Sequence, residues 1–96
     1  MGAEVFSTRA RGGTASEAFN EAVEQAYYDY GHAGYTGTIC EKDSFKMIEV
    51  PKGTDPELYA DYLIDVDDPR IADKWGPAGC IDLGEGEYLF FGWASC

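Results

Sequence analysis

The stretch TASEAFNEAVEQAYYDYGHAGYTGTICEK, residues 14–42, decides the fold, because it passes from a capped helix through a glycine-rich loop into a β-type segment. Thr14 occupies an N-cap position with Glu17 three residues later, which is the pattern of a capping box. Apolar residues then recur at helical spacing and a glycine follows them, so the pattern predicts one long helix packed on a core. The predicted buried stripe comprises Ala18, Phe19, Ala22, Val23, Ala26, Tyr27 and Tyr30. Tyr28 lies off this stripe and is predicted to be exposed.

The rest of the chain predicts strands over 4–11, 35–41, 45–50, 80–83 and 88–93, with one short helix capped by Asp55 and another over 69–75. The two strands at 35–41 and 45–50 are separated by a polar turn, which predicts a hairpin. The segment YLFFGW shows no alternation, so it is predicted to lie in the sheet interior. The predicted order is β-α-β-β-α-α-β-β in a single α+β domain over 1–96. Its sheet is mainly antiparallel, with about five strands packed by one long and two short helices.

The helix that follows Asp55 starts with proline at its first position and an acid in its first turn. Its predicted buried face consists of Leu58, Tyr59, Tyr62 and Leu63. A second Asp-Pro pair at Asp68 repeats this start signal and predicts the next helix.

The formal net charge is −11, from 18 acids and 7 bases. This balance argues against direct binding of nucleic acid and of anionic membranes, since both need Lys and Arg. It favours a basic protein surface as the partner, with electrostatic steering of the association. The predicted partner-binding residues are Glu17, Glu21, Glu24, Asp55, Glu57, Asp61, Asp65, Asp67 and Asp68. The alternative interpretation is that these acids form a solvated face next to helix N-termini, where acids are favoured anyway.

A small-ligand alternative rests on residues of a different kind. Arg9 and Arg11 are two apart on the first strand and therefore share a face, where they would clamp a nucleotide-like anion. His32 and Tyr35 in the glycine-rich loop would add stacking and polar contacts. Catalytic motifs are absent from the sequence, so a non-enzymatic protein without cofactor is predicted.

Three cysteines, Cys40, Cys80 and Cys96, have an odd count and no CxxC spacing, which argues against a disulfide framework. They are interpreted as small hydrophobes; the alternative is a zinc site completed by His32, and no metal is predicted. The chain shows neither a signal core nor an apolar run of membrane-span length, so a cytoplasmic protein is expected. A homo-oligomeric structural component, such as a homodimer joined through the C-terminal strand at a sheet edge, is a third alternative.

The run from Gly12 to Lys42, with EAF, a YG helix end and GYTGTI followed by EK, resembles short uncharacterised proteins encoded by bacteriophages and prophages. The resemblance implies an accessory protein of the host cytoplasm. It implies binding to host machinery, including defence and nucleic-acid-handling proteins, as an inhibitor or modulator. It carries over no functional residues.

Overall fold

A four-stranded mixed sheet runs through the molecule, and the computed structural model describes it within residues 2–30 and 36–96. The elements are β1 (Ala3–Arg11), α1 (Ala15–Tyr30), a 3-10 helix (Ile39–Glu41), β2 (Phe45–Met47), α2 (Pro56–Asp65), β3 (Ala78–Gly84) and β4 (Glu87–Ser95). The strand order is β1-β4-β3-β2. β4 pairs antiparallel with both β1 and β3, whereas β2 pairs parallel with β3.

The α+β class is confirmed, and so is the interior position of the last strand. The prediction of about five antiparallel strands is wrong, since the described sheet has four strands and one parallel pair. β2 is shorter than predicted and forms no hairpin with the segment before it. It is joined to β3 through α2, because a parallel neighbour requires a crossover connection.

The predicted strand over 35–41 is not present in its described part, residues 36–41, where Ile39–Glu41 forms a 3-10 helix; Tyr35 lies outside the described residues. Local side-chain hydrogen bonds explain the difference. The Thr38 hydroxyl accepts from the Cys40 N–H at 3.2 Å, and the Glu41 carboxylate accepts from the Thr36 N–H at 3.0 Å. Such bonds offer the backbone an alternative to a sheet ladder.

The predicted helix over 69–75 is also absent from the described structure, where these residues form turns. The Asp68 carboxylate accepts from the Arg70 N–H at 2.9 Å and binds the Arg70 guanidinium. A single turn follows, in which the Ile71 N–H donates to the Asp68 carbonyl at 3.0 Å. The Asp-Pro signal therefore starts an Asx-type turn that does not propagate into a helix.

The two helices lie on opposite faces of the sheet. α1 packs over Phe6, Cys80 and Phe90, whereas α2 packs over Ile81, Leu89 and Phe91. Successive side chains of a strand point to opposite faces of its sheet, so Phe90 lies on the α1 side of β4 and its neighbours Leu89 and Phe91 lie on the α2 side. The layers are therefore α1, sheet and α2.

α1 confirms the capped helix at its N-terminal end, where the Glu17 N–H donates to the Thr14 hydroxyl at 3.1 Å. Its side chains Ala18, Phe19, Ala22 and Ala26 are buried. Phe19 meets the Phe90 ring edge-on at 5.5 Å between centroids, which fixes the helix over the sheet centre. Tyr27 is half-exposed and not part of the buried stripe, while Tyr28 is 84% exposed as predicted.

Candidate functional site

The start of α2 accounts for two of its acids by helix stability alone. The Asp55 carboxylate accepts from the Glu57 N–H at 2.9 Å and from the Leu58 N–H at 3.2 Å, so Asp55 is an N-cap as predicted. Glu57 lies in the first turn, where the helix dipole favours an anion. Neither acid requires a partner protein to explain its presence.

The end of α2 places acids where the helix dipole disfavours them. The Asp68 N–H donates to the Leu63 carbonyl at 3.0 Å and the Asp67 N–H to the Ile64 carbonyl at 3.1 Å. This is the Schellman arrangement, whose left-handed residue is usually glycine. Here that residue is Asp67, with φ of 52°. Because no helix follows Pro69, Asp65 and Asp67 lie at a helix C-terminus and not beside a second N-terminus.

One side of α2 presents apolar side chains to solvent. Leu58, Tyr62 and Val66 follow each other at intervals of four, and they are 68%, 57% and 51% exposed. We call these three residues the α2 stripe. The prediction that Leu58 and Tyr62 are buried is wrong, because the helix packs on the sheet through Ala60, Leu63 and Ile64.

A row of carboxylates borders the α2 stripe. Asp61 and Asp65 are four apart and exposed, so they form a second row along the same helix, and Asp67 extends it past the helix end. In the described part of the chain, no Lys or Arg lies within ion-pair distance of these three acids. We call Asp61, Asp65 and Asp67 the α2 acids.

Asp68 differs from the α2 acids because it has its own cation. The Arg70 guanidinium binds it at 2.9 Å and 3.0 Å, and this hydrogen-bonded pairing lowers the pKa of Asp68. Its negative charge is therefore matched within the chain. Asp68 is accordingly a turn-forming residue, and the described contacts do not leave it available to a basic partner.

The acids of α1 do not belong to this surface. Glu17, Glu21 and Glu24 lie on the helix that covers the other face of the sheet. Glu17 accepts from the Thr14 hydroxyl at 3.4 Å and thus serves the cap. The nine predicted partner-binding residues are therefore divided between two faces, and no flat partner surface meets all of them.

The residues of the small-ligand alternative are arranged differently from the prediction. Arg9 and Arg11 share a face of β1, but both bind Glu87, at 3.3 Å and 3.6 Å, and Arg9 also binds Glu57. The hydrogen bond that the Arg9 guanidinium donates to the Glu57 carboxylate raises the pKa of Arg9. Carboxylates of the chain thus occupy both guanidinium groups. The other two residues, His32 and Tyr35, lie outside the described residues.

Two cysteines of the zinc alternative lie in or against one core, and its His32 lies outside the described residues. Cys80 is buried in the core between α1 and the sheet, and burial raises the pKa of its thiol to about 12. Cys40 packs against the same core, and burial raises its pKa as well. Among the described residues, no group of three metal-ligating side chains is close enough to hold an ion. No helix in the described ranges has the length and apolarity to cross a bilayer.

Two features escaped the sequence reasoning. The α2 stripe was missed because apolar residues surround most of that helix, so spacing alone does not select the buried side. Lys42 falls in the segment predicted as a polar turn, whereas the residue is buried and its ammonium group donates to the carbonyls of Asp73, Lys74 and Gly76 at 3.3, 3.1 and 2.9 Å. No sequence signal identifies this contact, which joins segments about thirty residues apart.

Comparisons of the chain with protein-family models, with curated proteins and with solved structures found no match.

Proposed function

We propose that this protein is a non-enzymatic binding protein that inhibits or modulates a host protein in the host cytoplasm, using the α2 stripe and the α2 acids against a basic surface. The observation that carries the proposal is the position of Asp65 and Asp67. Both lie at a helix C-terminus, and Asp67 adopts a left-handed conformation. Stability does not account for either acid at that position.

The neighbouring apolar side chains support the same surface. Protein interfaces combine an apolar centre, often aromatic, with a polar rim. Tyr62 stands in the middle of the α2 stripe and stacks on the ring of Tyr59, with centroids 6.2 Å apart. A half-exposed, oriented aromatic ring of this kind is typical of a residue that carries binding energy. The α2 acids would pair with Lys or Arg at the rim of the partner site.

Photo-crosslinking from α2 tests the proposal. A photoreactive phenylalanine analogue replaces Tyr62 in the full chain, and a control protein carries it at Tyr28, which lies on α1 at the opposite face of the sheet and is even more exposed than Tyr62. In host lysate at low salt we expect one basic protein to be crosslinked from position 62 and not from position 28. High salt should abolish the crosslink, because exposed charge pairs are screened.

Charge reversal gives the second arm of the same experiment. The double variant Asp61→Lys with Asp65→Lys should abolish the crosslink. The control double variant, Glu24→Lys with Asp43→Lys, changes the net charge by the same amount at exposed positions outside α2 and should preserve the crosslink. Equal loss in both double variants would show that bulk charge, and not the α2 surface, governs binding. Equal crosslinking from positions 62 and 28 would contradict the proposal.

A further inference from the structure

Within residues 2–30 and 36–96, β1 is an edge strand whose outer side is open. In these ranges β4 is its one partner strand, over nine residues in unbroken register. The Gly12 N–H donates to the Gly86 carbonyl at 3.0 Å, and the Cys96 N–H donates to the Gly2 carbonyl at 3.3 Å. The backbone N–H and C=O groups of the even-numbered positions of β1 therefore point towards β4. In an antiparallel pair the intervening positions point their N–H and C=O groups away. The outward positions are Ala3, Val5, Ser7, Arg9 and Arg11.

No other segment in the described ranges covers these outward groups. Outside the sheet ladders, no backbone hydrogen bond in that part of the chain reaches the outward positions. β1 contains neither proline nor a bulge, which are two of the devices that block an edge, and its charged outward residues Arg9 and Arg11 are confined to its C-terminal end. Val5 is 48% exposed and Ser7 is also exposed. The strand therefore presents a row of unpaired donors and acceptors.

A groove of about 770 Å³ runs along this edge, between β1 and α1. Its floor contains the small side chains Ala22 and Ala26, and its outer wall is formed by Glu21, Gln25 and Asp29. The volume falls within the roughly 300–1,000 Å³ of ordinary ligand pockets. Glu21 and Asp29 make the α1 wall acidic. Arg9 and Arg11 also line the groove, but carboxylates of the chain bind both of them, so the unmatched charge of the lining is negative.

We propose that the β1 edge binds an extended basic segment of a partner protein as an added strand, with alternate Lys or Arg side chains in the groove. Added strands gain affinity from main-chain hydrogen bonds and specificity from alternate side chains. Peptide side chains on the same face as Thr8 and Ala10 would point towards Glu21 and Asp29. Those on the other face would lie beside Val5 and suit small or β-branched residues.

Charge decides against a second copy of this chain as the occupant. Each copy carries a formal net charge of −11. Pairing of two β1 strands would also bring two acidic α1 walls to one face of the joined sheet, because directly opposed residues share a face. A basic segment meets the same wall with opposite charge. This surface is separate from the α2 stripe, so its test does not depend on the function proposed above.

Amide NMR of the full chain with a capped Lys-Val-Lys-Val-Lys-Val peptide tests the proposal. We expect the amides of Val5, Ser7 and Arg9 to shift and to gain protection from hydrogen exchange, while those of Thr8 and Ala10 are protected already. A Glu-Val peptide of equal length should not bind. Shifts confined to α2, shifts spread over all acidic segments, or equal binding of the Glu-Val peptide would overturn the proposal.

Two variants complete the test. Glu21→Lys with Asp29→Lys should weaken the basic peptide at least about tenfold, whereas Glu24→Lys with Asp43→Lys, which has the same net charge, should change affinity by less than about twofold. Ser7→Pro removes an outward N–H and leaves the β4 ladder intact, so it should keep the fold and abolish the protection. If the outward amides of β1 were already protected from hydrogen exchange in the absence of peptide, and the protein had the mass of a dimer, the proposal of a peptide partner would be refuted. Pairing of β1 with a second copy of the chain would then explain the protection.

Discussion

Replacing Asp67 should make the protein more stable, which is unusual for a residue that defines a helix end. Asp67 has φ of 52° and lies immediately after the C-cap residue Val66 of α2. Two unfavourable terms coincide there. An L-residue in the left-handed region is strained relative to glycine, and a negative charge lies next to the negative end of the helix dipole.

The two terms can be separated by two substitutions. Asp67→Asn keeps a side chain that tolerates the left-handed region and removes only the charge, which should add about 0.3–1 kcal/mol to the free energy of unfolding. Asp67→Gly also relieves backbone strain of about 1–2 kcal/mol. Glycine has a larger conformational entropy in the unfolded chain, which lowers the gain in the free energy of unfolding by about 0.5–1 kcal/mol. The expected order of stability is therefore Gly, then Asn, then Asp, and the glycine variant gains about 1 kcal/mol in total.

Urea and thermal unfolding followed by circular dichroism measure the effect. A gain of about 1 kcal/mol should raise the melting temperature by about 4–8 °C in a domain of this size. The gain of Asp67→Asn should shrink in high salt, because the dipole interaction is screened. Asp67→Ala serves as the control, since it removes the charge but leaves an L-residue without the local hydrogen bonding of Asp or Asn. If both Asp67→Gly and Asp67→Asn were no more stable than the parent, the strain and dipole reasoning would be refuted.

Three further predictions concern buried groups. Lys42→Met should lower the free energy of unfolding by about 2–3 kcal/mol relative to the same change at exposed Lys46, because carbonyls of the 73–76 turn lose a charged donor; equal stability of the two variants would contradict this role. Gly79→Ala should cost about 1–3 kcal/mol in urea unfolding, since its Cβ would lie 2.6 Å from the Phe91 ring; an unchanged midpoint would show that the ring yields. Cys80 should resist iodoacetamide at pH 8 until the protein unfolds, as read by mass spectrometry. Its raised thiol pKa contributes stability that is present below the ordinary value of 9.0 and lost as pH rises towards about 12.

The starts of α1 and α2 were predictable from the sequence because caps are local, whereas the start signal at Asp68 formed only a turn. Thr14 and Asp55 bind backbone N–H groups two or three residues ahead, so the signal and its effect lie in one short segment. The last strand was predictable because its signal, the unbroken apolar run YLFFGW, also lies within one short segment. Such a run supplies apolar side chains to both faces of the sheet, and β4 indeed places Phe90 in the core under α1 and Phe91 in the core under α2.

The parallel pairing of β2 was not predictable in this way. Only Phe45–Met47 joins the sheet, and its partner β3 lies about thirty residues further along the chain. A polar turn before Phe45 favours a hairpin on local grounds, and the alternative depends on α2 crossing over the sheet. Non-local pairing of this kind leaves no periodic pattern in either segment, so tertiary packing overrides the local signal.

The candidate site was predictable in its charge but not in its extent. The acids from Asp55 to Asp68 stand out in the sequence, yet the structure divides them by role. Asp55 caps the helix and Asp68 binds Arg70, which leaves the α2 acids without a structural reason. Their apolar neighbours escaped prediction because Leu58, Tyr62 and Val66 lie at the same spacing as a buried stripe, and only packing shows which stripe the sheet covers.

The division of charge between two faces determines how salt should act on binding. A partner bound as proposed on the α2 surface would meet Asp61, Asp65 and Asp67, whereas Glu21 and Glu24 lie on α1, on the opposite side of the sheet. Exposed charges separated by more than a Debye length, about 8 Å at physiological ionic strength, are largely screened from each other. The salt dependence of the association should therefore reflect the three α2 acids and not the formal net charge of −11. Neutralising Glu21 and Glu24 should leave that dependence unchanged, and neutralising Asp61 and Asp65 should remove most of it.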